Sequence, residues 1–173
     1  MKKSKIEQFQ FDIKRTIDDQ RKLGEIRYGL FGSAKKNACG IIACNNLKML
    51  IGEHTDFIKE YKKASLWGTT LGLGIFGTNP FYVAKKIKKM NISVKPYRFV
   101  KLEKLGDIFE KSDIVVLLYR WGSIFNIHYA VFERKSDGLI YGYNTVCDNY
   151  KQISTLIKAE RMKSVIMAWA INK

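Results

Sequence analysis

One stretch of the sequence constrains the fold more than any other. From Ile41 to Ile51 nearly every residue is apolar or small, and the apolar side chains are spread around the helical wheel instead of along one stripe. A helix that is apolar on most sides belongs in the interior of a protein. We therefore expect a central buried helix, around which the rest of the chain packs.

Cys39 falls on the first turn of this helix, because the preceding residues from Gly32 to Asn37 are polar and predict a flexible loop. Unpaired N–H groups and the positive end of the helix dipole lie at such a position, and both favour the thiolate form of a cysteine. Gly40 would let a substrate carbonyl approach the sulfur closely. A small core cysteine fits the same position equally well, so the choice depends on partners elsewhere in the chain.

The size of the chain predicts a single domain that spans residues 1–173. With 173 residues, 46% of them hydrophobic, it has enough apolar surface for a substantial core. Residues 1–21 are predicted to form an N-terminal amphipathic helix on this domain. No signal peptide and no membrane-spanning segment is expected, and three cysteines do not suggest a disulfide framework, so the expected location is the reducing cytoplasm.

The formal net charge of +15 would attract phosphate backbones, anionic lipid surfaces and acidic peptides alike. The lysines are scattered over the outer faces of predicted helices, and the sequence contains no recognisable nucleic-acid motif, so we do not expect functional nucleic-acid binding. A peptide or protein substrate of acidic character would complement the charge. The sequence does not specify an oligomeric state.

A literal GxGxxG runs from Gly72 to Gly77. A dinucleotide site would need a helix that opens within the glycines and an acidic residue about 20 positions later. Here Asn79 and Pro80 mark a helix start only after the glycines end, and the region from Ile92 to Phe99 has no acid. We therefore predict a flexible loop along a cleft, and we expect neither a cofactor nor a metal site.

The second half of the chain changes from a helical to a strand pattern. Asp113–Tyr119 is a continuous apolar run, typical of a strand that is covered on both faces. The other predicted elements are strands at Ile92–Tyr97, Ile127–Glu133, Leu139–Asn144 and Val165–Ile171 and a helix at Gln152–Arg161. Pro96 limits the first of these strands to a sheet edge. Helices followed by a mostly antiparallel sheet predict an α+β fold.

The predicted hairpin around Asp137 and Gly138 supplies partners for the cysteine. A loop that closes Arg134 against Gly138 would place His128 directly opposite Asn144, on the same face of the sheet. The amide would then fix the imidazole tautomer. A tighter Asp137-Gly138 turn would pair His128 with Cys147 instead, and both registers remain open.

Taken together, these motifs resemble those of papain-like cysteine peptidases. They are, in order, Asn37-Ala38-Cys39-Gly40 at a helix start, Gly77-Thr78-Asn79-Pro80 opening a helix, His128-Tyr129-Ala130-Val131, and Tyr143-Asn144. The order is most similar to the compact bacteriocin-leader-processing, or double-glycine, peptidase domains, over roughly residues 28–171. The resemblance implies a helical half against an antiparallel half-barrel. It also implies peptide-bond hydrolysis through an acyl-enzyme, with Cys39 as nucleophile, His128 as general base and acid, and Asn144 as orienting residue.

Two positions depart from the pattern of that family. Such peptidases usually carry Gln six residues before the cysteine, where it donates to the oxyanion, and this chain has Ser33 there. The oxyanion hole would then use the Cys39 N–H with Asn37 or another nearby side chain. The compact branch usually has Asp at the third position, whereas Asn144 follows the papain pattern.

Trp121 stands in the predicted turn before the His128 strand. It would either shield the hydrogen bond between His128 and Asn144 or simply belong to the core or the cleft wall. Two other functions fit the same motifs: an acyltransferase or transamidase that uses the same three residues, and a non-catalytic peptide-binding module. No transporter segment or ATP-binding unit accompanies the motifs, so a freestanding role is expected.

Overall fold

The computed structural model describes residues 16–54, 56–66, 69–123 and 126–173. The chain divides into two compact units, Met1–Lys89 and Met90–Lys173. The first is mainly helical and the second is built on an antiparallel sheet, which confirms the predicted α+β order. Most of the predicted N-terminal helix lies outside the described residues. Its predicted end is wrong, because residues 16–19 have no regular structure and Gln20–Leu23 form a 3-10 helix.

In the described residues of the first unit, a short antiparallel pair follows the 3-10 helix and precedes the α-helices. Its elements are β1 (Arg27–Tyr28), β2 (Gly32–Ser33), α1 (Ala34–Asn37), α2 (Cys39–Leu50), α3 (Phe57–Ala64) and α4 (Pro80–Lys88). All residues of α2 from Cys39 to Leu47 are buried, which confirms the central helix. The prediction of a flexible loop before Cys39 is partly wrong, because the one-turn helix α1 occupies most of this segment. The Ala38 N–H donates to the Ala34 carbonyl at 3.2 Å.

Helix α4 starts where the sequence predicts. The Asn79 side chain caps it by accepting a hydrogen bond from the Phe81 N–H at 2.9 Å, and Pro80 occupies the first turn. Val83 and Ile87 are buried, whereas Phe81 is 81% exposed. At 100° per residue Phe81 points about 200° away from Val83, which places it on the opposite side of the helix. The glycine-rich segment before α4 contains a short 3-10 helix, Leu71–Gly74, and is closed by an antiparallel bridge between Thr70 and Thr78.

The second unit contains a six-stranded antiparallel sheet with two helices. Its elements are β3 (Ser93–Val100), α5 (Leu105–Glu110), β4 (Ile114–Trp121), β5 (Ile127–Arg134), β6 (Ile140–Tyr143), β7 (Asn149–Tyr150), α6 (Ile153–Ala159) and β8 (Met162–Asn172). The spatial order is β3-β8-β4-β5-β6-β7, so β3 lies at an edge, as Pro96 requires. The residues of β4 are buried from Ile114 to Tyr119, which confirms the strand covered on both faces. The sequence did not predict β7.

A hydrophobic cluster holds α5 and α6 against this sheet. Phe109 of α5 meets Phe132 of β5 with ring centroids 5.9 Å apart, and Leu156 of α6 is fully buried in the same cluster. Fully burying a side chain of this size stabilises the fold by about 1.5–3 kcal/mol. The strand that carries His128 is therefore anchored by packing along its length.

The hairpin between β5 and β6 differs from both predicted registers. Arg134 pairs with Ile140, and the ladder continues to the pair Val131–Tyr143. A five-residue loop closes it, in which the Lys135 N–H donates to the Leu139 carbonyl at 3.1 Å. The Asp137 carboxylate accepts from the Leu139 N–H at 2.9 Å, which makes the turn wider than an Asp-Gly turn of two residues. Regular pairing ends at Tyr143, before it reaches the level of His128.

Candidate active site

Cys39 is the first residue of α2, as predicted, and its side chain is buried, with 5% of its surface exposed. Ala38, with φ −91° and ψ 8°, separates α1 from α2. The first N–H groups of a helix have no carbonyl partner within it, and its dipole is positive at this end. Cys39 therefore lies at the end of α2 where the unpaired N–H groups and the positive end of the dipole are found.

The start of α2 packs closely against the glycine-threonine segment before α4. A Cβ atom on Gly40 would lie 2.6 Å from the Thr78 Cβ, so only glycine fits there. Thr78 is itself buried, and its hydroxyl shares a 2.7 Å hydrogen bond with the Tyr28 hydroxyl. Close packing against Thr78 thus explains why glycine occupies position 40, which the sequence did not indicate. The approach of a substrate carbonyl past Gly40 remains a prediction.

The two polar side chains predicted near the oxyanion are both engaged within the first unit. The Asn37 amide accepts from the Ser33 N–H at 3.0 Å and donates to the Ile75 carbonyl at 2.6 Å. The Lys35 ammonium and then the Ser33 hydroxyl hydrogen-bond to Glu25 and hold the pKa of that carboxyl below its usual value. Asn37 therefore links the start of α1 to the glycine-rich loop.

His128 lies on β5 with one ring nitrogen bonded to the main chain. Its Nε2 is 2.7 Å from the carbonyl oxygen of Asn144. Because a carbonyl only accepts hydrogen bonds, Nε2 carries a proton in this contact. Tyr119 of β4 pairs with His128 across the ladder, and the two rings meet edge to face with centroids 5.6 Å apart at 84°.

Asn144 reaches His128 by a turn instead of by strand register. It is buried and directly follows β6, with a left-handed φ of +63°. Asparagine is among the few residues with a side chain that adopt this conformation readily. The turn takes the chain out of the ladder and directs the Asn144 carbonyl at the imidazole. The predicted pair is thus adjacent, but the contact with His128 is made by the main chain, and the predicted register is wrong.

Trp121 is the last residue of β4, not part of a turn, and it is 40% exposed. Its N–H donates to the Asn126 carbonyl at 3.0 Å. A ring that does pack against His128 is that of Tyr119, which was not predicted from the sequence. Only the β4–β5 register could reveal it, because both residues lie within apolar runs that look like ordinary core strands.

No protein-family model matches the sequence, and no curated protein matches it significantly. Solved structures do match. The peptidase domain of Streptococcus ComA, a bifunctional ABC transporter involved in a quorum-sensing pathway, has a TM-score of 0.53 at 10% identity, covering 83% of this chain and 98% of that one. A double-glycine-motif protease from an AMS/PCAT transporter, solved with its leader peptide, has a TM-score of 0.51 at 14% identity, covering 86% and 93%.

The chain has the papain-like peptidase fold. This confirms the fold that the motif resemblance implied. At identities of 10% and 14% the likeness shows the fold alone, so the chemistry has to be argued from the residues of this chain.

The described residues of this papain-like fold contain no group of three or more His, Cys, Asp or Glu side chains that could bind a metal ion. Among the same residues, none of the helices combines the length and the apolar composition needed to span a bilayer. Cys39, Cys44 and Cys147 are all free thiols. The candidate residues are therefore described separately: Cys39 belongs to the first unit, and the group of Tyr119, His128 and Asn144 belongs to the second.

Proposed function

We propose that this chain is a cysteine peptidase in which Cys39 and His128 act on the same peptide bond. The observation that carries the proposal is the hydrogen bond from His128 Nε2–H to the Asn144 carbonyl, because it orients the imidazole through one nitrogen and assigns proton exchange with a thiol to the other. The position of Cys39 at the start of α2 supports it. The fold, whose solved examples include two peptidase domains, supports it as well.

The proposed reaction begins when Nδ1 of His128 takes the proton from the Cys39 thiol. The thiolate attacks the carbonyl carbon and forms the C–S bond of a tetrahedral intermediate. The imidazolium returns the proton to the leaving amine as the C–N bond breaks, which leaves a thioester on Cys39. Nδ1 then takes a proton from water, and the resulting hydroxide forms a C–O bond with the thioester carbon. The C–S bond breaks as the acid product leaves, and the imidazolium returns the proton to the Cys39 sulfur.

The Asn144 carbonyl has the orienting role in this proposal. It holds the ring through Nε2–H in both the neutral and the imidazolium forms, so Nδ1 points in one direction throughout the cycle. A neutral carbonyl stabilises an imidazolium less than a carboxylate would. We therefore expect slower turnover than in peptidases that have Asp as the third residue.

The oxyanion would be stabilised mainly by the Cys39 N–H. Asn37 is held between Ser33 and Ile75, and Ser33 replaces the usual glutamine. Loss of one oxyanion donor lowers kcat by about a hundredfold to a thousandfold. The proposed enzyme is consequently a slow one.

The proposed substrate is a peptide with Gly-Gly before the cleaved bond, by analogy with the double-glycine-motif protease that binds a leader peptide. An acidic peptide would complement the net charge of +15. If charge steers the encounter, kcat/KM for an acidic peptide should fall as salt rises, while that for a neutral peptide of the same length should not. Three free thiols suit a reducing compartment, and we propose the cytoplasm.

The test is cleavage of a synthetic Gly-Gly peptide, followed by mass spectrometry of the products and of the protein. We expect cleavage after Gly-Gly and a thioester adduct on Cys39, with Cys39→Ser slower by at least about a thousandfold. Cys44→Ser is the matched control and should keep the parent rate. Binding of the peptide without cleavage would favour the binding module, and capture of the adduct by added amines in preference to water would favour an acyltransferase.

A further inference from the structure

Glu160 is a buried carboxylate at the junction between α6 and β8. It follows the last residue of α6, its N–H donates to the Leu156 carbonyl at 3.0 Å, and 5% of its surface is exposed. In the sequence it stands between Lys158 and Arg161, where an acidic residue is usually part of a solvated helix face. A buried carboxylate is costly unless hydrogen-bond donors surround it. The hydrogen-bond donors around Glu160 therefore indicate which parts of the fold this carboxylate holds in place.

Three donors meet the two oxygens of Glu160. The Tyr119 hydroxyl donates to Oε2 at 2.6 Å. The Val146 N–H donates to Oε1 at 2.8 Å, and the Tyr150 hydroxyl donates to the same oxygen. Burial and then the hydrogen bond to Glu160 raise the pKa of Tyr150, so this hydroxyl keeps its proton and remains a donor. One carboxylate thus joins β4, β7 and the loop between β6 and β7.

Two of these donors belong to the groups that surround His128. The Tyr119 ring is the one that packs edge to face against the imidazole. Val146 lies two residues after Asn144, whose carbonyl accepts the Nε2–H of His128. The loop is held a second time through Tyr150, because its hydroxyl accepts from the Cys147 N–H at 3.3 Å.

We propose that Glu160 is a positioning residue for His128. By holding the Tyr119 ring and the loop of residues 144–148, it keeps the Asn144 carbonyl at Nε2–H and so fixes the tautomer that has its lone pair on Nδ1. Hydrogen bonds to a carboxylate are stronger than those between neutral groups, which explains why an acid occupies a buried position here. The role in catalysis rests on the proposed function, but the effect on the His128 tautomer does not.

Glu133 provides a matched control in the same unit. It is also a buried carboxylate, 9% exposed, and it accepts from the Tyr143 hydroxyl at 2.9 Å and from Lys173 Nζ at 2.6 Å. It lies at the opposite end of β5 from His128. Glu133→Gln therefore removes a buried charge and perturbs a tyrosine hydrogen bond, but it removes none of the hydrogen bonds to Glu160.

The experiment compares Glu160→Gln with Glu133→Gln by ¹⁵N-resolved NMR of the imidazole rings in the full chain. The sequence has only one other histidine, His54, so His54→Gln assigns the signals. We expect the parent to show the Nε2–H tautomer of His128. The fraction of the Nδ1–H tautomer should rise at least about threefold in Glu160→Gln and stay at the parent value in Glu133→Gln.

Kinetics with the Gly-Gly peptide give a second measurement. We expect kcat to fall about tenfold to a hundredfold in Glu160→Gln with KM within about threefold, as for other residues that orient a functional histidine. An unchanged tautomer in Glu160→Gln, or equal losses of kcat in both variants, would overturn the proposal. A parent that cleaves no peptide would refute the proposed function alone, because the NMR comparison does not depend on activity.

If Glu160→Gln does not fold, Tyr119→Phe replaces it. This variant removes one donor to the carboxylate and keeps the ring that packs against His128. A rise in the Nδ1–H tautomer of His128 would support the positioning role, and a spectrum identical to that of the parent would reject it.

Discussion

The role of the Asn144 backbone gives the sharpest prediction about the histidine half of the site. Two substitutions remove the side-chain amide and keep the carbonyl that His128 contacts at 2.7 Å. Asn144→Gly also suits the left-handed φ of +63°, whereas Asn144→Ala does not. The pair therefore separates the contribution of the amide from that of the backbone conformation.

The expected difference in stability follows from the backbone geometry. A left-handed residue with a Cβ atom costs about 1–2 kcal/mol relative to its right-handed form. Glycine loses roughly 0.5–1 kcal/mol through the greater freedom of the unfolded chain. The net expectation is that Asn144→Ala is less stable than Asn144→Gly by about 1 kcal/mol, a difference in Tm of about 2–4 °C for a chain of this size.

Thermal unfolding and peptide cleavage measure the two effects. We expect kcat of Asn144→Gly to stay within about tenfold of the parent, because the carbonyl still accepts the Nε2–H bond. Asn144→Ala should be slower as well as less stable, since strain displaces that carbonyl. Equal losses of about a hundredfold or more in both variants, with equal Tm, would show that the amide orients His128 and would refute this reasoning.

Three further predictions concern the cysteine half. Below pH 7, iodoacetamide should modify Cys39 at least about tenfold faster than Cys44, because burial raises the pKa of the Cys44 thiol to about 12. Equal rates of modification of the two cysteines, measured by peptide mapping, would contradict an activated Cys39. Ser33→Gln should raise kcat by about tenfold or more by supplying an oxyanion donor, and an unchanged kcat would show that this donor is not missing. Gly40→Ala should lower the free energy of unfolding by about 1–3 kcal/mol, because its Cβ meets Thr78; a urea titration that matches the parent would exclude this close contact.

Local patterns predicted most of the elements correctly. The all-round apolar stretch that begins at Ile41 is the buried helix α2, and Asn79-Pro80 begins α4. The apolar run that starts at Ile114 is the covered strand β4. These features depend on side-chain periodicity and on capping chemistry, both of which are set within a few residues. Helical spacing alone does not say which face of a helix meets the core, and in α4 Phe81 lies on the exposed side.

The register of the β5–β6 hairpin could not be predicted from local sequence patterns. Counting from Asp137 and Gly138 gave two registers, and the actual loop of five residues gives neither. The contact between His128 and Asn144 arises from a left-handed residue beyond the end of the ladder. A turn conformation of this kind depends on what holds the loop, and Glu160 is far from it in sequence.

The sequence by itself determined the helix that begins at Cys39, the strand that carries His128 and the α+β order, because these follow from short-range pattern. Only the tertiary structure showed that a main-chain carbonyl and an edge-on tyrosine contact the imidazole, and that a buried carboxylate accepts a hydrogen bond from this tyrosine. Those contacts join residues that are 16 to 41 positions apart in pairs such as His128–Asn144 and Tyr119–Glu160. Hydrogen bonds across such separations form when the packing of strands and loops brings their partners together, and no local propensity encodes them.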